Sequence, residues 1–514
     1  MYYFIPAWYH PERTWYDNTN VWYRQHLGMT FDDTINQIRM FQHANEKASI
    51  LVLNYMPHLR YFAHRYDLLE VPTWSVFDEI QDISTQDWRV IQFRDLKWPS
   101  GVEFIYTPFL VVARKNGELL AQIEFGASGQ LFIIDWYEDS QRVHQYIFDD
   151  RGFLSSILYF ENGLPSHQDY LNPLGNWQIR EYLGDNQRVE VNPKYVHRFS
   201  KQSYACMTDL ISETLAQYFK ESTNVEDTLI LASDKRHNQL VLSQKNQKKV
   251  ILSFFQNRYD LTDIQSLQGD LDLVDLVITD KLSTKEILEK SNLPIEHISP
   301  FDTRLSLGKS QRLKVLNIYC LVDGLDDEIL DQMINECLDQ LRLNEACRLQ
   351  LISYQQNGEQ LKTKLTDILD AQRETYFHLS KLEENPLFGI DEEEEEEERV
   401  SFSVLYTETE IMEVLDNARI IIDLSKEPDL YTQIAGISAG IPQINAVPTE
   451  FVEHQKNGYQ LTDVIDLGEA LRYYLTGLAH WNQALVYSVQ KISDYTSGQW
   501  VERMLTTLEN TKHE

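Results

Sequence analysis

The sequence predicts an α/β protein with two Rossmann-like domains and an antiparallel β-sheet inserted into the first. Three observations carry this. Strand, helix and strand alternate at the start, an order that implies a parallel sheet. The same alternation returns after about residue 313. Between them, from about residue 88 to 200, short strands follow one another with turn residues every eight to twelve positions.

The first strand is expected in residues 2–9 (YYFIPAWY). A helix follows over 31–48, where Phe31, Ile35, Ile38 and Phe41 recur at helical spacing with acids early and Lys late. Residues 50–56 (ILVLNYM) make a second strand that Pro57 stops. In the insert, VEFIYTPFLVVARKNGELLAQIEF reads as two strands joined at Asn116-Gly117, a strong hairpin signal. QLFIIDWYE, HQYIFDDRG, LSSILYFENG, WQIREYL and RVEVN continue a meander of seven or more strands. Helical period resumes at 204–219, then strands DTLILAS, KKVILSFF, DLVITD and IEHIS, with the helix STKEILEKS between the last two. Residues 301–312 read as a crossing into the second domain, where LKVLNIYCL, RLQLISYQ, SFSVLYT, RIIIDLS and IPQINAV alternate with helices. The expected boundaries are 1–87 with 204–300 for the first domain and 88–203 for the insert. The second domain takes 301–480, and helices over 481–514 pack back onto the first. The insert is expected to offer an interaction surface through its sheet edges. Deleting roughly residues 90–195 is expected to leave both α/β domains folded.

Composition narrows the function. In 514 residues, 46 Lys+Arg against 79 Asp+Glu give a net charge of −33, which argues against nucleic acid as a partner. Four cysteines without C-x-x-C spacing make a zinc site unexpected and fit a reducing compartment. The histidines show no metal-binding spacing, so neither metal nor cofactor is expected. No apolar run reaches about 18 residues, so no membrane span is expected. The start has no basic segment before its short apolar run and does not read as a signal peptide.

Several motifs have structural readings. Gly436-Ile-Ser438-Ala-Gly440 matches a nucleophile elbow, but a helix precedes it and a strand follows, the reverse of what an elbow needs. Gly308-Lys309-Ser310 lacks the first glycine of a phosphate loop, since position 303 is Thr. Tyr487 and Lys491 have a dehydrogenase spacing without a dinucleotide glycine motif and read as packing. The acidic run 391–398 reads as a solvated loop. The pairs Trp8-Tyr9, Trp15-Tyr16 and Trp22-Tyr23 suit a core, a protein contact or stacking on sugars. Lys194, Arg198 and Lys201, or Lys245, Lys248 and Lys249, are the candidate basic patches for lipid or a partner.

Two α/β domains with a returning C-terminal helix describe the GT-B architecture of many glycosyltransferases, whose default ligand site is the cleft. Residues 419–461 resemble the donor-binding region of retaining GT-B enzymes, in RIIIDLSKEPDLYTQIAGISAGIPQIN and FVEHQKNGYQL. Glu427 takes the place of the first donor-site acid. The second, which would hold the ribose, falls on Ala435, ahead of the small-residue helix end at Gly440. The resemblance implies an Arg and a Lys after the domain's first strand, but CLVDGLDDEIL puts Asp323, Asp326, Asp327 and Glu328 there. Acids without a metal repel a diphosphate. The expectation is a glycosyltransferase-like frame that has lost donor binding.

The whole chain resembles the family of first accessory secretory proteins of streptococci and staphylococci, in YYFIPAWY with its Trp-Tyr pairs, the meander, and AGISAGIPQIN with its NGY tail. The resemblance implies a non-catalytic cytosolic component of the accessory Sec system. It implies a complex with the second and third accessory secretory proteins, and work with a specialised SecA-type motor and a SecY-type channel to export serine-rich-repeat glycoprotein adhesins. The alternatives are an active glycosyltransferase modifying the adhesin, and a membrane-peripheral adaptor on anionic lipid at the inner face of the membrane.

Overall fold

The computed structural model describes residues 1–510, apart from 18, 25–31, 85–88, 185–186, 257, 262–263, 292, 299–306, 355–357, 373–398, 406–407 and 494–496. The expectations placed on Phe31, on the crossing at 301–306 and on the acidic run 391–398 lie outside the described residues. Two compact units form. One takes the chain up to His297 and again from Met504; the other takes Ile298–Arg503.

The first unit opens with β1 (Tyr2–Ile5), α1 (Asp33–His43), β2 (Ala48–Val52), α2 (Leu59–Arg65), β3 (Thr73–Ser75) and α3 (Val76–Ile80). After the insert come α4 (Met207–Ser222), β14 (Thr228–Ala232), α5 (Asn238–Leu242), β15 (Lys249–Phe254), α6 (Ile264–Leu271), β16 (Leu276–Thr279), α7 (Leu282–Leu288) and β17 (Ile295–His297). The seven strands form one parallel sheet in the order β17-β16-β15-β14-β1-β2-β3. Strands β2, β14 and β16 are buried along their whole length, which is why they read as continuous apolar runs. The Asp32 carboxylate starts α1 by accepting from the Ile35 amide at 2.9 Å.

The insert is one ten-stranded antiparallel sheet running from β4 to β13 in sequence order. Its strands are β4 (Val102–Tyr106), β5 (Val111–Lys115), β6 (Glu118–Phe125), β7 (Leu131–Glu138), β8 (Gln141–Asp149), β9 (Phe153–Glu161), β10 (Leu164–Leu171), β11 (Trp177–Tyr182), β12 (Val189–Val191) and β13 (Ser203–Tyr204). Asn116 and Gly117 turn β5 into β6 with φ of 54° and 83°, the geometry the dipeptide signals. Where two strands were expected, three form, because a turn closed by the Thr107 amide on Leu110 divides β4 from β5.

The insert does not stand clear of the parallel sheet. Phe132, Ile147, Tyr170, Ile179 and Val191 share one core with Tyr3, Ile5, Tyr55 and Leu231. The Tyr55 hydroxyl donates to Ser155 Oγ at 2.8 Å, and Gln81 Nε2 donates to the Leu171 carbonyl at 2.6 Å. Arg151 binds Asp78 through both terminal nitrogens at 2.8 Å. Deleting 90–195 would remove these partners from the shared core and from Tyr55, Gln81 and Asp78.

The second unit has β18 (Leu316–Leu321), α8 (Asp327–Leu343), β19 (Cys347–Ser353), α9 (Gly358–Gln372), β20 (Val400–Val404), α10 (Glu408–Leu415), β21 (Ala418–Asp423), α11 (Leu430–Ala439), β22 (Gln443–Asn445), β23 (Gly458–Gln460), α12 (Leu467–Leu475) and α13 (Ala479–Ser493). The last helix, α14, spans Ser497–Asn510. The strand order is β20-β19-β18-β21-β22-β23, all parallel, which is the Rossmann order. Among the described residues no helix is long and apolar enough to cross a membrane.

Candidate functional site

Open parallel sheets take ligands where the strand order reverses, beyond the carboxyl ends of the strands. In the second unit that point lies between β18 and β21. Three aspartates follow these strands. Asp323 accepts from the Ser353 hydroxyl and the Tyr354 amide, each at 2.6 Å. Asp423, 1% exposed, accepts from the Ser425 hydroxyl at 2.7 Å and the Asp429 amide at 2.7 Å. Asp429 caps α11, accepting from the Thr432 amide at 2.8 Å and its hydroxyl at 2.7 Å. The Tyr354 hydroxyl lies 2.7 Å from Thr432 Oγ1 and 2.6 Å from the Tyr319 hydroxyl. Burial raises the Asp323 and Asp423 carboxyls above their ordinary value, and raises the Tyr354 phenol too.

A phosphate site at a helix N-terminus needs free amides and cations. Here the Thr432 amide is taken by the protein's own carboxylate. Lys426 is paired with Asp326 at 3.1 Å, and Lys364 with Asp327. An incoming anion meets Asp323, Asp326, Asp327 and Asp429.

The other expected site residues fall as follows. Glu427 is exposed on the loop between β21 and α11. Ala435 is fully buried in the core with Tyr319, Ile421 and Tyr431. Gly440 ends α11 with φ 73°, and a methyl there would sit 2.2 Å from Leu485 Cδ1. Ser438 donates to the Ile434 carbonyl at 2.8 Å inside α11, with no elbow around it. Lys309 pairs with Asp416 at 2.7 Å and cradles nothing. Tyr487 and Lys491 both bind Glu453, at 2.5 and 3.2 Å, holding its carboxyl down to about 2 through Lys456, the Tyr487 hydroxyl and Lys491.

Some of the basic candidates are held by the fold. Arg198 donates to the Ile80 carbonyl at 3.1 Å and to Gln178 Oε1 at 2.9 Å. Lys248 is buried with its amine over the Phe219 ring, and Lys249 reaches the Leu508 carbonyl. Lys245 is half-buried; Lys194 and Lys201 remain exposed.

The reversal point of the first unit, between β1 and β14, holds groups that no motif announced. The Tyr9 hydroxyl lies 2.7 Å from His237 Nδ1, and burial drops the His237 imidazole to about 4. Arg236 pairs with Asp234 at 2.6 Å and covers the Tyr9 ring. Arg258 pairs with Asp33 at 2.6 Å. The polar stretch Asp234–Asn238, directly after an apolar strand, was the available signal. Among the described residues no three of His, Cys, Asp and Glu gather as a metal would require.

Two Rossmann-ordered parallel sheets, the first interrupted by an antiparallel one, define the fold class of the GT-B glycosyltransferases. The pneumococcal O-GlcNAc transferase GtfA, solved with UDP and GlcNAc, shares it with a TM-score of 0.66 at 11% identity, over 100% of this chain and 99% of that one. Within this class the chain belongs to the family of the accessory Sec system protein, accessory secretory protein 1, whose profile matches residues 1–511. It is 42% identical over 518 residues to the accessory Sec system protein of this family from Streptococcus gordonii, covering 98% of each chain. It also matches a chain in the crystal structure of accessory secretory proteins 1, 2 and 3 of Streptococcus pneumoniae. The TM-score there is 0.87 at 37% identity, over 100% of this chain and 99% of that chain.

Proposed function

We propose that this chain is a non-catalytic component of the accessory Sec system. It works in a cytosolic assembly with the second and third accessory secretory proteins and, with a SecA-type motor, serves the export of serine-rich-repeat glycoprotein adhesins. The observation that carries the non-catalytic part is the aspartate-lined end of the second sheet, with the α11 amide already capped by Asp429. The assembly part is supported by the pneumococcal relative, which was solved together with proteins 2 and 3. Peripheral contact with anionic lipid has weaker support, because Arg198 and Lys248 are held inside the fold.

Calorimetry of the full chain against a panel of nucleotide sugars separates this from an active transferase. No saturable heat at millimolar ligand is expected. Saturable binding with sugar transfer that Glu427→Gln abolishes would overturn the reading. Mixing the chain with proteins 2 and 3 should give one species on size exclusion; three separate peaks would remove the assembly role.

A further inference from the structure

We propose that the first unit carries a docking groove for a cationic, extended peptide segment, at the edge of its parallel sheet where β3 ends the strand order. The groove stands apart from the reversal points of both parallel sheets. Its cavity is about 520 Å³, within the roughly 300–1,000 Å³ usual for ligand pockets. Among the described residues β3 pairs only with β2. The Ile50 amide of β2 donates to the Pro72 carbonyl at 2.9 Å. Backbone groups alternate sides along a strand, so Thr73, the next residue, turns its N–H and C=O away from β2. Thr73 also lines the groove. A strand edge with free backbone groups takes an extended peptide as its next strand.

The floor of the groove is apolar and fixed. Leu59 and Ala63 of α2, with Leu68 and Val71 from the segment between α2 and β3, are buried and line it. Trp74 of β3 lines it too, half-buried and stacked on Tyr218 of α4, with ring centroids 4.2 Å and planes 22° apart. That stack holds the indole in place before anything enters. Leu69, 46% exposed, stands at the rim. Together these residues suit apolar side chains at every second position of an extended segment, the period of a strand.

Charge selects the segment. The lining sets Arg60 and Arg151 against Glu70, Asp78 and Glu79. Both arginines are already committed. Arg151 binds Asp78 at 2.8 Å and Asp149 at 2.7 Å. Arg60 binds Asp78 at 3.4 Å, Asp149 at 3.2 Å and Asp150 at 2.7 Å. With Asp149 and Asp150 counted, five acids meet two cations. Arg198, nearby, is occupied by Asp82 and by the Glu79 and Ile80 carbonyls. Glu70 and Glu79 are exposed, and among the described residues neither pairs with a cation. Lys or Arg side chains at the alternate positions of the segment answer them. An anionic segment is repelled, and a second copy of this chain, itself at −33, is disfavoured.

The test mixes the full chain, at physiological salt, with a dye-labelled, capped hexapeptide that alternates Val and Lys, read by fluorescence anisotropy. Saturable binding is expected, and the same peptide with Glu for Lys should not bind. Glu70→Lys with Glu79→Lys changes two exposed side chains, should fold, and should weaken binding about tenfold. Glu286→Lys with Glu289→Lys makes the same change of net charge on exposed positions of and just after α7, beside the opposite edge of the sheet. It lies well beyond the roughly 8 Å screening length and should leave binding within about twofold. Thr73→Pro, checked for folding by circular dichroism, removes the outward N–H and should weaken binding about fivefold. No saturable binding up to millimolar peptide, equal loss in the two charge-reversed proteins, equal binding of the Glu peptide, or a dimer of the chain that Leu69→Asp dissociates would each overturn the proposal.

Discussion

Asp17 is a carboxyl that folding keeps partly protonated. Burial pushes it up to about 7, against the help of the Thr19 hydroxyl and nearby amides. An unfolded aspartate titrates near about 3.9. The folded state therefore holds this proton more tightly. The stability it brings is complete below about pH 4 and is lost as pH rises through about 7. Other buried groups pull both ways. Asp280 is also raised to about 6 by burial, whereas burial lowers His58 and His237 to about 4. The clean measurement is thus a difference. Asp17→Asn removes one titration and keeps the shape, so the wild type should lose stability relative to the variant as pH goes from 4 to 8. Parallel denaturation curves for the two proteins across that range would show that Asp17 is ionised throughout.

At the scale of elements, α11 shows how a helix end is fixed from both sides. Asp429 closes its first turn, and Gly440 leaves its last turn with φ 73° against Leu485. Gly440→Ala adds both left-handed strain and a clash, and should cost about 2–3 kcal/mol of second-unit stability by urea denaturation. Trimming the obstacle as well, in Gly440→Ala with Leu485→Ala, should cost less than the sum of the single changes by about 1 kcal/mol. Strict additivity would mean that the methyl never meets Leu485. This glycine was legible as a helix end from small residues followed by an apolar strand. Other elements were not. β10 begins Leu-Pro-Ser-His and then buries Gln168 and Asp169, so no apolar alternation marks it. Asp169 tolerates burial because Arg180 on the neighbouring strand binds it at 2.6 Å, a pairing invisible without the register. β3 and β23 span three residues each, too short for any period. The site was half legible. The acids after β18 stand in the sequence, whereas the hydrogen bonds that tie Asp423 to Ser425 and Asp429 to Thr432 do not.

Across the whole molecule, the first unit folds as parallel sheet and insert together. Its chain leaves the sheet after α3, builds ten strands, and returns at α4. The junction is a buried ionic network as well as an apolar core. Arg151, on the turn after β8, binds Asp149 at 2.7 Å and Asp78 of α3 at 2.8 Å, while Arg60 of α2 binds Asp149 and Asp150. Both arginines hold Asp149 below the ordinary carboxylate value although it is fully buried. A carboxylate so placed cannot lose a partner cheaply. Arg151→Met should destabilise the first unit by about 3–5 kcal/mol, because it strands Asp149 and not merely because a contact goes. Two calorimetric transitions are expected for the intact chain, one for each unit. Arg151→Met should lower one of them, and hydrogen exchange should then loosen β8, β9 and α3 together. Gly440→Ala should lower the other. If Arg151→Met loosened the insert while β1, β2 and β14 kept their protection, the insert would be an autonomous domain after all. The shared core of Tyr55, Ile147 and Tyr170 would then contribute far less than its burial implies.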